Sequence, residues 1–280
     1  MIIKAKRFYI LIVSMFILAS SLLISADSKE NLNDKIKLPI IMYHHISKKS
    51  SALGDYVITP EQFESDLKYI KQKGYEAITA QNLVDYYNGN FKLPEKPIMI
   101  TFDDGYLSFY EYAYPLLKKH DMKAVLSIIG KYTDLYSDCD DRNVNYAHVT
   151  WDNVAEMSKS GLVEIANHTY DLHTLTERKG STIKSGEKVD CYQMMLSSDL
   201  KIIQQKVSDS TGNTPTTFTY PFGRVCKQSY SIIEEMGFKV SLGCEEKINY
   251  LDKEKPNLYK LKRFNREHGK TSESFFKNIL

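Results

Sequence analysis

Short blocks of apolar residues alternate along this chain with stretches whose apolar positions recur every three to four residues. The blocks are LPIIMY (38–43), YEAIT (75–79), PIMITF (97–102), KAVLSII (123–129), LVEIA (162–166), TTFTY (216–220), FKVSL (238–242) and LYKLKRF (258–264). Apolar runs of this length between turn signals read as strands buried in a parallel sheet. The stretch from Thr59 to Gly74 reads as a helix. Thr59 is its N-cap, Pro60 its first residue and Gln62 stands three beyond the cap, with Phe63, Leu67 and Ile70 on the apolar face and Gly74 as the stop. Helices are also predicted over AQNLVDYY, YEYAYPLLKKH (despite Pro115), WDNVAEMSKSG, roughly Tyr192 to Val207, and SYSIIEEMG. The segment from Lys131 to Tyr146 breaks the alternation and reads as a surface loop. Repeated β-then-α order predicts an α/β fold, a parallel sheet closed or nearly closed by helices.

The strand PIMITF runs directly into Asp103, Asp104 and Gly105. Two adjacent carboxylates repel, so a buried pair needs a positive neighbour. In barrels of this kind chemistry sits on loops at the C-terminal ends of strands. Two strands further on, LVEIA leads into NHTYDLHTL, with His168 and His173 five apart. A loop curling back can aim both imidazoles at one point, and two histidines with one carboxylate leave open positions on a metal for water and substrate. One aspartate then binds the metal. The other stays free as a base beside a water whose pKa a zinc-like ion lowers from 15.7 to about 7. A third piece, FTYPFGR (218–224), places Pro221 and Gly223 in an irregular loop suited to presenting a backbone N–H to an oxyanion. Each piece alone reads as a turn or as surface decoration; on the strand ends of one α/β pattern they point to a metal site.

The net charge of +2 gives no case for nucleic acid. At the N-terminus, Lys4, Lys6 and Arg7 precede an apolar run from Phe8 to Ile24, and small residues follow. That is the layout of a secretory signal or uncleaved membrane anchor over residues 1–26, with a linker over 27–36 and the globular domain over 37–280. The expectation is an exported monomer, extracellular, associated with the cell wall or anchored to the membrane. Cys139, Cys191, Cys226 and Cys244 match no zinc spacing. They read as buried free thiols or as one or two disulfides, Cys226 with Cys244 being the easiest pair. Trp151, the only tryptophan, reads as core packing ahead of sugar stacking.

TFDDGY, NHTYDLH, YPFG and LKRFN together resemble the polysaccharide deacetylases of carbohydrate esterase family 4, the NodB-homology domain, over residues 38 to 270. The resemblance implies a distorted (β/α) barrel and metal-dependent removal of acetyl groups from an N-acetylated polysaccharide. The metal would be Zn2+ by default, with Co2+, Ni2+ or Fe2+ as alternatives. Asp103 resembles the general base, and Asp104, His168 and His173 the metal ligands. Thr169 would bond within the histidine loop. The Phe222 N–H, in a loop with Tyr220 and Pro221, would stabilise the oxyanion. The five-residue histidine spacing resembles the subgroup acting on poly-β-1,6-N-acetylglucosamine. Two family features are missing: the arginine that would align near Thr219, for which Arg263 is the candidate substitute, and the late segment supplying the general acid, for which His44 or His45 would stand in ahead of His268. Peptidoglycan and O-acetylated glycans stay open as substrates. A non-haem iron oxygenase is disfavoured by the β/α alternation, and a non-catalytic glycan-binding relative by the presence of Asp103 and all three ligands.

Overall fold

The computed structural model describes residues 35–280; the expected leader over residues 1–26 lies outside them. Eight strands form one sheet: β1 (Ile40–Tyr43), β2 (Glu76–Ile78), β3 (Pro97–Phe102), β4 (Ala124–Ile128), β5 (Val163–Asn167), β6 (Thr217–Thr219), β7 (Val240–Leu242) and β8 (Phe264–Asn265). Their order is β7-β6-β5-β4-β3-β1-β8, with β2 added to β3, and every pairing is parallel. The helices are α1 (Pro60–Gln72), α2 (Ala80–Tyr87), α3 (Tyr114–His120), α4 (Gly130–Ser137), α5 (Trp151–Lys159), α6 (Val189–Thr211), α7 (Ser229–Glu235) and α8 (Ser272–Phe276). This is the expected α/β architecture. None of the described helices is long and apolar enough to cross a membrane.

Strand β3 lies at the centre. Its first half pairs with β2, from Pro97 opposite Glu76, and its last two residues pair with β4. Strand β1 covers the other side, from Met99 opposite Ile40 to Phe102 opposite Tyr43. All six residues are buried, which explains the unbroken apolar run. Phe63, Leu67 and Ile70 of α1 pack with Ile41, Ile100 and Phe102 in the main core. Phe218 and Phe238 pack against Tyr192, Leu196 and Leu200 of α6 in a second cluster.

The sheet curls until its two ends meet. The Gly243 N–H donates to the Leu261 carbonyl (2.9 Å) and the Leu261 N–H to the Ser241 carbonyl (2.8 Å). The strand expected over 258–264 is therefore two pieces: Leu261 closes against β7, and β8 pairs with β1. Lys260, at φ 59°, turns the chain just before Leu261, so the residues ahead of it join neither piece.

Local signals carry most of the helices. The Thr59 hydroxyl accepts from the Gln62 N–H at 3.1 Å, as its capping role requires. Pro115 falls in the first turn of α3, after a single wide turn over Phe109–Ala113, so its missing N–H costs no helical bond. The surface loop expected over 131–146 needs correction, since nearly its first half is helix α4. That helix buries little apolar surface of its own. It is held through Asp134, whose carboxylate accepts from Trp151 Nε1 and the Tyr170 hydroxyl, both at 2.8 Å. The cysteines are free, and only partly buried or exposed. Cys226 Sγ meets the Tyr192 hydroxyl at 3.2 Å, and Cys244 Sγ lies against Arg263 and Met42, so the pairing read as easiest does not form.

Candidate metal centre and active site

Parallel strands bring all their C-terminal ends to one side of the sheet, where the motif residues assemble. They surround a cavity of about 900 Å³ whose lining includes His44, His45, Asp103, Asp104, His168 and His173.

Asp104, His168 and His173 each offer one ligand atom, and these atoms lie within 4.8 Å of one another. Asp104 Oδ1 is 3.5 Å from His168 Nε2 and 3.2 Å from His173 Nε2. His168 Nδ1 is 2.8 Å from the Thr219 carbonyl, which can only accept, so Nδ1 carries the proton and Nε2 is turned to the carboxylate. Burial would lower the His168 pKa, but the hydrogen bond and charge of Asp104 raise it above the ordinary value. Burial would raise Asp104, and the bond and charge of His168 outweigh that, holding it below the usual carboxylate range. Burial and the neighbouring His168 charge push His173 down to about 4, leaving it a neutral donor. A carboxylate and two imidazoles converging in this way suit a divalent ion, which would displace the proton shared by Asp104 and His168.

The five-residue spacing works because the loop after β5 is pinned. Asn167 Oδ1 accepts from the Thr169 N–H (2.9 Å), and Asp199 of α6 accepts from the N–H groups of Tyr170 (2.8 Å) and Asp171 (2.9 Å). Burial raises the Asp199 pKa to about 6. Thr169 Oγ1 accepts from the Leu172 N–H at 3.3 Å, and the two imidazole centroids end 5.0 Å apart.

Backbone strain marks the same loops. Asp104 (φ 72°), Thr169 (φ 71°) and Phe222 (φ 57°) are non-glycine residues in the left-handed region, one in each motif. Such residues cost of order 1–3 kcal/mol each and persist where the surroundings dictate them.

Asp103 sits at the cavity wall, 3 % exposed. Arg263 grips it in a fork, Nη1 to Oδ1 at 2.8 Å and Nη2 to Oδ2 at 2.7 Å. The guanidinium is itself aimed by Nε donating to the Gly243 carbonyl (2.7 Å) and Nη1 to Thr101 Oγ1 (3.2 Å). Burial would raise the Asp103 carboxyl; the Arg263 charge and hydrogen bonds overcome that and hold it well below the carboxylate range. Arg263, the candidate named for this place, is thus the cation paired with Asp103.

Both histidines after β1 line the cavity. His44 meets Tyr56 edge to face at 4.9 Å, and its buried Nδ1 has no hydrogen-bond partner. His45 Nδ1 bonds Ser108 Oγ at 2.9 Å, and its Nε2 is buried and unpartnered. Phe222 stacks obliquely on His173 (4.2 Å) at the mouth. Tyr220 and Pro221 are placed otherwise than expected: both are buried, Tyr220 in the second core cluster with its hydroxyl 3.3 Å from Ser229 Oγ, and neither lines the cavity. The alternation of side chains about β6 turns Tyr220 inward. His268 bonds Gln62 on the surface, away from the cavity. The sequence reading missed Asn167 and Asp199. An Asn before the first histidine was a visible signal; Asp199, on a distant helix, left none.

A family model described as polysaccharide deacetylase matches residues 91–241. The protein YxkH of Bacillus subtilis (strain 168) is 29 % identical over 243 residues, 85 % of this chain and 75 % of that protein. A poly-beta-1,6-N-acetyl-D-glucosamine N-deacetylase of Staphylococcus aureus (strain MSSA476) is 25 % identical over 265 residues, 87 % of this chain and 88 % of that protein. Among solved structures, a de-N-acetylase from Aggregatibacter actinomycetemcomitans superposes with a TM-score of 0.73 at 24 % identity, covering 87 % of this chain and 100 % of that one. With the family model spanning more than half its length and the motif residues meeting in one cavity, the chain belongs to the polysaccharide deacetylases, hydrolases acting on amide bonds of carbohydrate.

Proposed function

We propose that this protein is an exported, metal-dependent deacetylase removing N-acetyl groups from a polymer of N-acetylglucosamine, with Zn2+ at Asp104, His168 and His173. The observation that carries this reading is the convergence of those three ligand atoms within 4.8 Å beside a second carboxylate, Asp103, held ionised by Arg263. The similarity to a poly-beta-1,6-N-acetyl-D-glucosamine N-deacetylase and the five-residue histidine spacing support the choice of glycan. A bound divalent ion would supply Lewis acidity to the acetamide oxygen and to the attacking water.

The protein's own groups divide the proton work. Asp103 accepts the proton of the attacking water, and Arg263 keeps its carboxylate ionised and oriented. The Phe222 N–H, on the cavity-side turn after β6, donates to the developing oxyanion. The departing amine needs a proton, and His44 supplies it. Its environment feels the charges of Asp103, Asp104 and His168, whereas His45 is tied to Ser108. Burial lowers the His44 pKa and the two aspartates offset that only in part, so the ring, once protonated, gives its proton up readily.

Acetate release from poly-N-acetylglucosamine, peptidoglycan and acetylated xylan by the zinc-loaded protein tests the substrate. Asp104→Ala, His168→Ala and His173→Ala are expected to lose bound metal, read by elemental analysis, while circular dichroism stays native. His44→Ala should cut kcat about 10²–10⁴-fold with metal retained. Full metal occupancy in all three ligand variants, or release only from xylan, would sink the reading.

A further inference from the structure

We propose that His148 is a positioning residue for Asp104, its Nδ1–H fixing the peptide that sets the direction of the metal-binding carboxylate. The inference rests on the metal-centre reading above.

His148 lies on the segment between the exposed loop after α4 and the start of α5. Its Nδ1 is 2.9 Å from the Asp104 carbonyl oxygen. A carbonyl can only accept, so the ring must hold its proton on Nδ1. That carbonyl belongs to the peptide joining Asp104 and Gly105. Holding it fixes ψ of Asp104 and φ of Gly105, two residues in the left-handed region at φ 72° and 74°. Relaxation of Asp104 to an ordinary backbone conformation would swing its carboxylate off the two imidazoles.

The clamp has two further bonds and a wall behind it. The Leu107 N–H donates to the Ala147 carbonyl at 2.7 Å and the Val149 N–H to the Gly105 carbonyl at 2.9 Å, on either side of an antiparallel bridge between Tyr106 and His148. On the opposite side the turn abuts β4 so closely that a Cβ on Gly105 would lie 3.0 Å from Ile128 Cγ2 and 3.2 Å from Ile128 Cα. The imidazole itself is 7 % exposed and stacked with Tyr106 (4.7 Å, 29°) and Tyr132 (4.6 Å, 28°). Stacking with two rings limits rotation of the imidazole out of the plane that aims Nδ1 at the carbonyl. A metal ligand held in a strained conformation needs such support, and partners outside the ligand set commonly change metal affinity 10–100-fold when removed.

The test is calorimetric titration of the metal-free protein with Zn2+, beside its thermal unfolding without metal. His148→Phe keeps the stacked ring and removes the donor; zinc should bind about 10-fold more weakly with little change in the metal-free unfolding temperature. His148→Asn and His148→Leu have nearly the same shape and differ in the N–H; the Asn variant should bind zinc several-fold more tightly than the Leu variant. Wild-type zinc affinity in His148→Phe, or equal affinity in the Asn and Leu variants, overturns the positioning role. Asp104→Ala separates the two levels: if it binds zinc as the wild type does, the metal-centre reading itself falls, whereas loss of zinc there with none in His148→Phe rejects His148 alone.

Discussion

Arg263 and Arg266 flank the two residues of β8, and each grips a buried aspartate with two hydrogen bonds. Arg266 binds Asp66 of α1 through Nε (2.8 Å) and Nη2 (3.1 Å), with both side chains fully buried. Asp66 also accepts from the Tyr43 hydroxyl (3.1 Å) and Ser272 Oγ (2.6 Å), and Arg266 donates two further bonds to the carbonyls of Glu267 and Lys270. Nothing in that pair faces the cavity. The Arg263–Asp103 pair has the same chemistry, but Asp103 receives side-chain bonds from the guanidinium alone and lies on the cavity wall. Burial dominates at Asp66 and raises its pKa despite Arg266, whereas at Asp103 the Arg263 charge, helped by His168 and His44, prevails over burial. A carboxylate whose lone pairs are all used inside the protein ties the C-terminal segment to α1. One with lone pairs left toward a cavity can take a proton.

The largest expected effects contrast the two aspartates. Asp103→Asn should lower kcat about 10²–10⁴-fold with metal retained, because the amide cannot accept the proton. Asp66→Asn should cost about 3–5 kcal/mol of stability, the usual consequence of breaking a buried pair, while the folded fraction turns over normally. Urea unfolding and single-turnover acetate release measure both. Equal loss of turnover from the two variants would break the comparison.

Exchange of the arginines sharpens it. Without its guanidinium, the Asp103 carboxyl is left to burial, and its pKa rises. In Arg263→Met the acid limb of kcat/KM should therefore move to higher pH, activity disappearing sooner as pH falls. Arg266→Met should be destabilised to a similar degree with the limb in place. An unmoved limb in Arg263→Met would remove Arg263 from any part in setting the base.

The smallest effect concerns acid stability at the cavity end. His45 is held neutral, burial and the His148 charge bringing its pKa down to about 4. In the unfolded chain its pKa is about 6.5. The unfolded state thus binds more protons between those values, and stability falls as pH drops from about 6.5 toward 4. His45→Gln should remove about 1–2 kcal/mol of that loss, allowing for screening by water in the cavity. Urea midpoints at pH 7.5 and 5.0 decide; identical pH dependence in wild type and variant would show that His45 does not contribute.

Much of the architecture and the motif set was legible because both rest on local signals. The run PIMITF is apolar at every position because β3 is covered on both faces, and Thr59 with Gln62 announces α1 whatever the rest of the chain does. Parallel order then puts every strand end on one side, so Asp103, Asp104, His168 and His173 could be read as one site from their positions after strands. Helix α4 was not legible, since its support comes from Trp151 and Tyr170 on other elements. The inward turn of Tyr220 depended on side-chain alternation at a strand end too short to read.

By itself, then, the chain's sequence determined the α/β alternation and which residue types meet at the strand ends, because burial periodicity and capping act over a few residues. Tertiary structure alone decided the partners. The Asp103–Arg263 bond joins positions 160 residues apart, Asp199 reaches the histidine loop from a later helix, and His148 finds the Asp104 carbonyl through an antiparallel bridge. Such contacts depend on how the sheet curls and where the segment before β8 closes it, and no local pattern encodes a distance set by the whole fold.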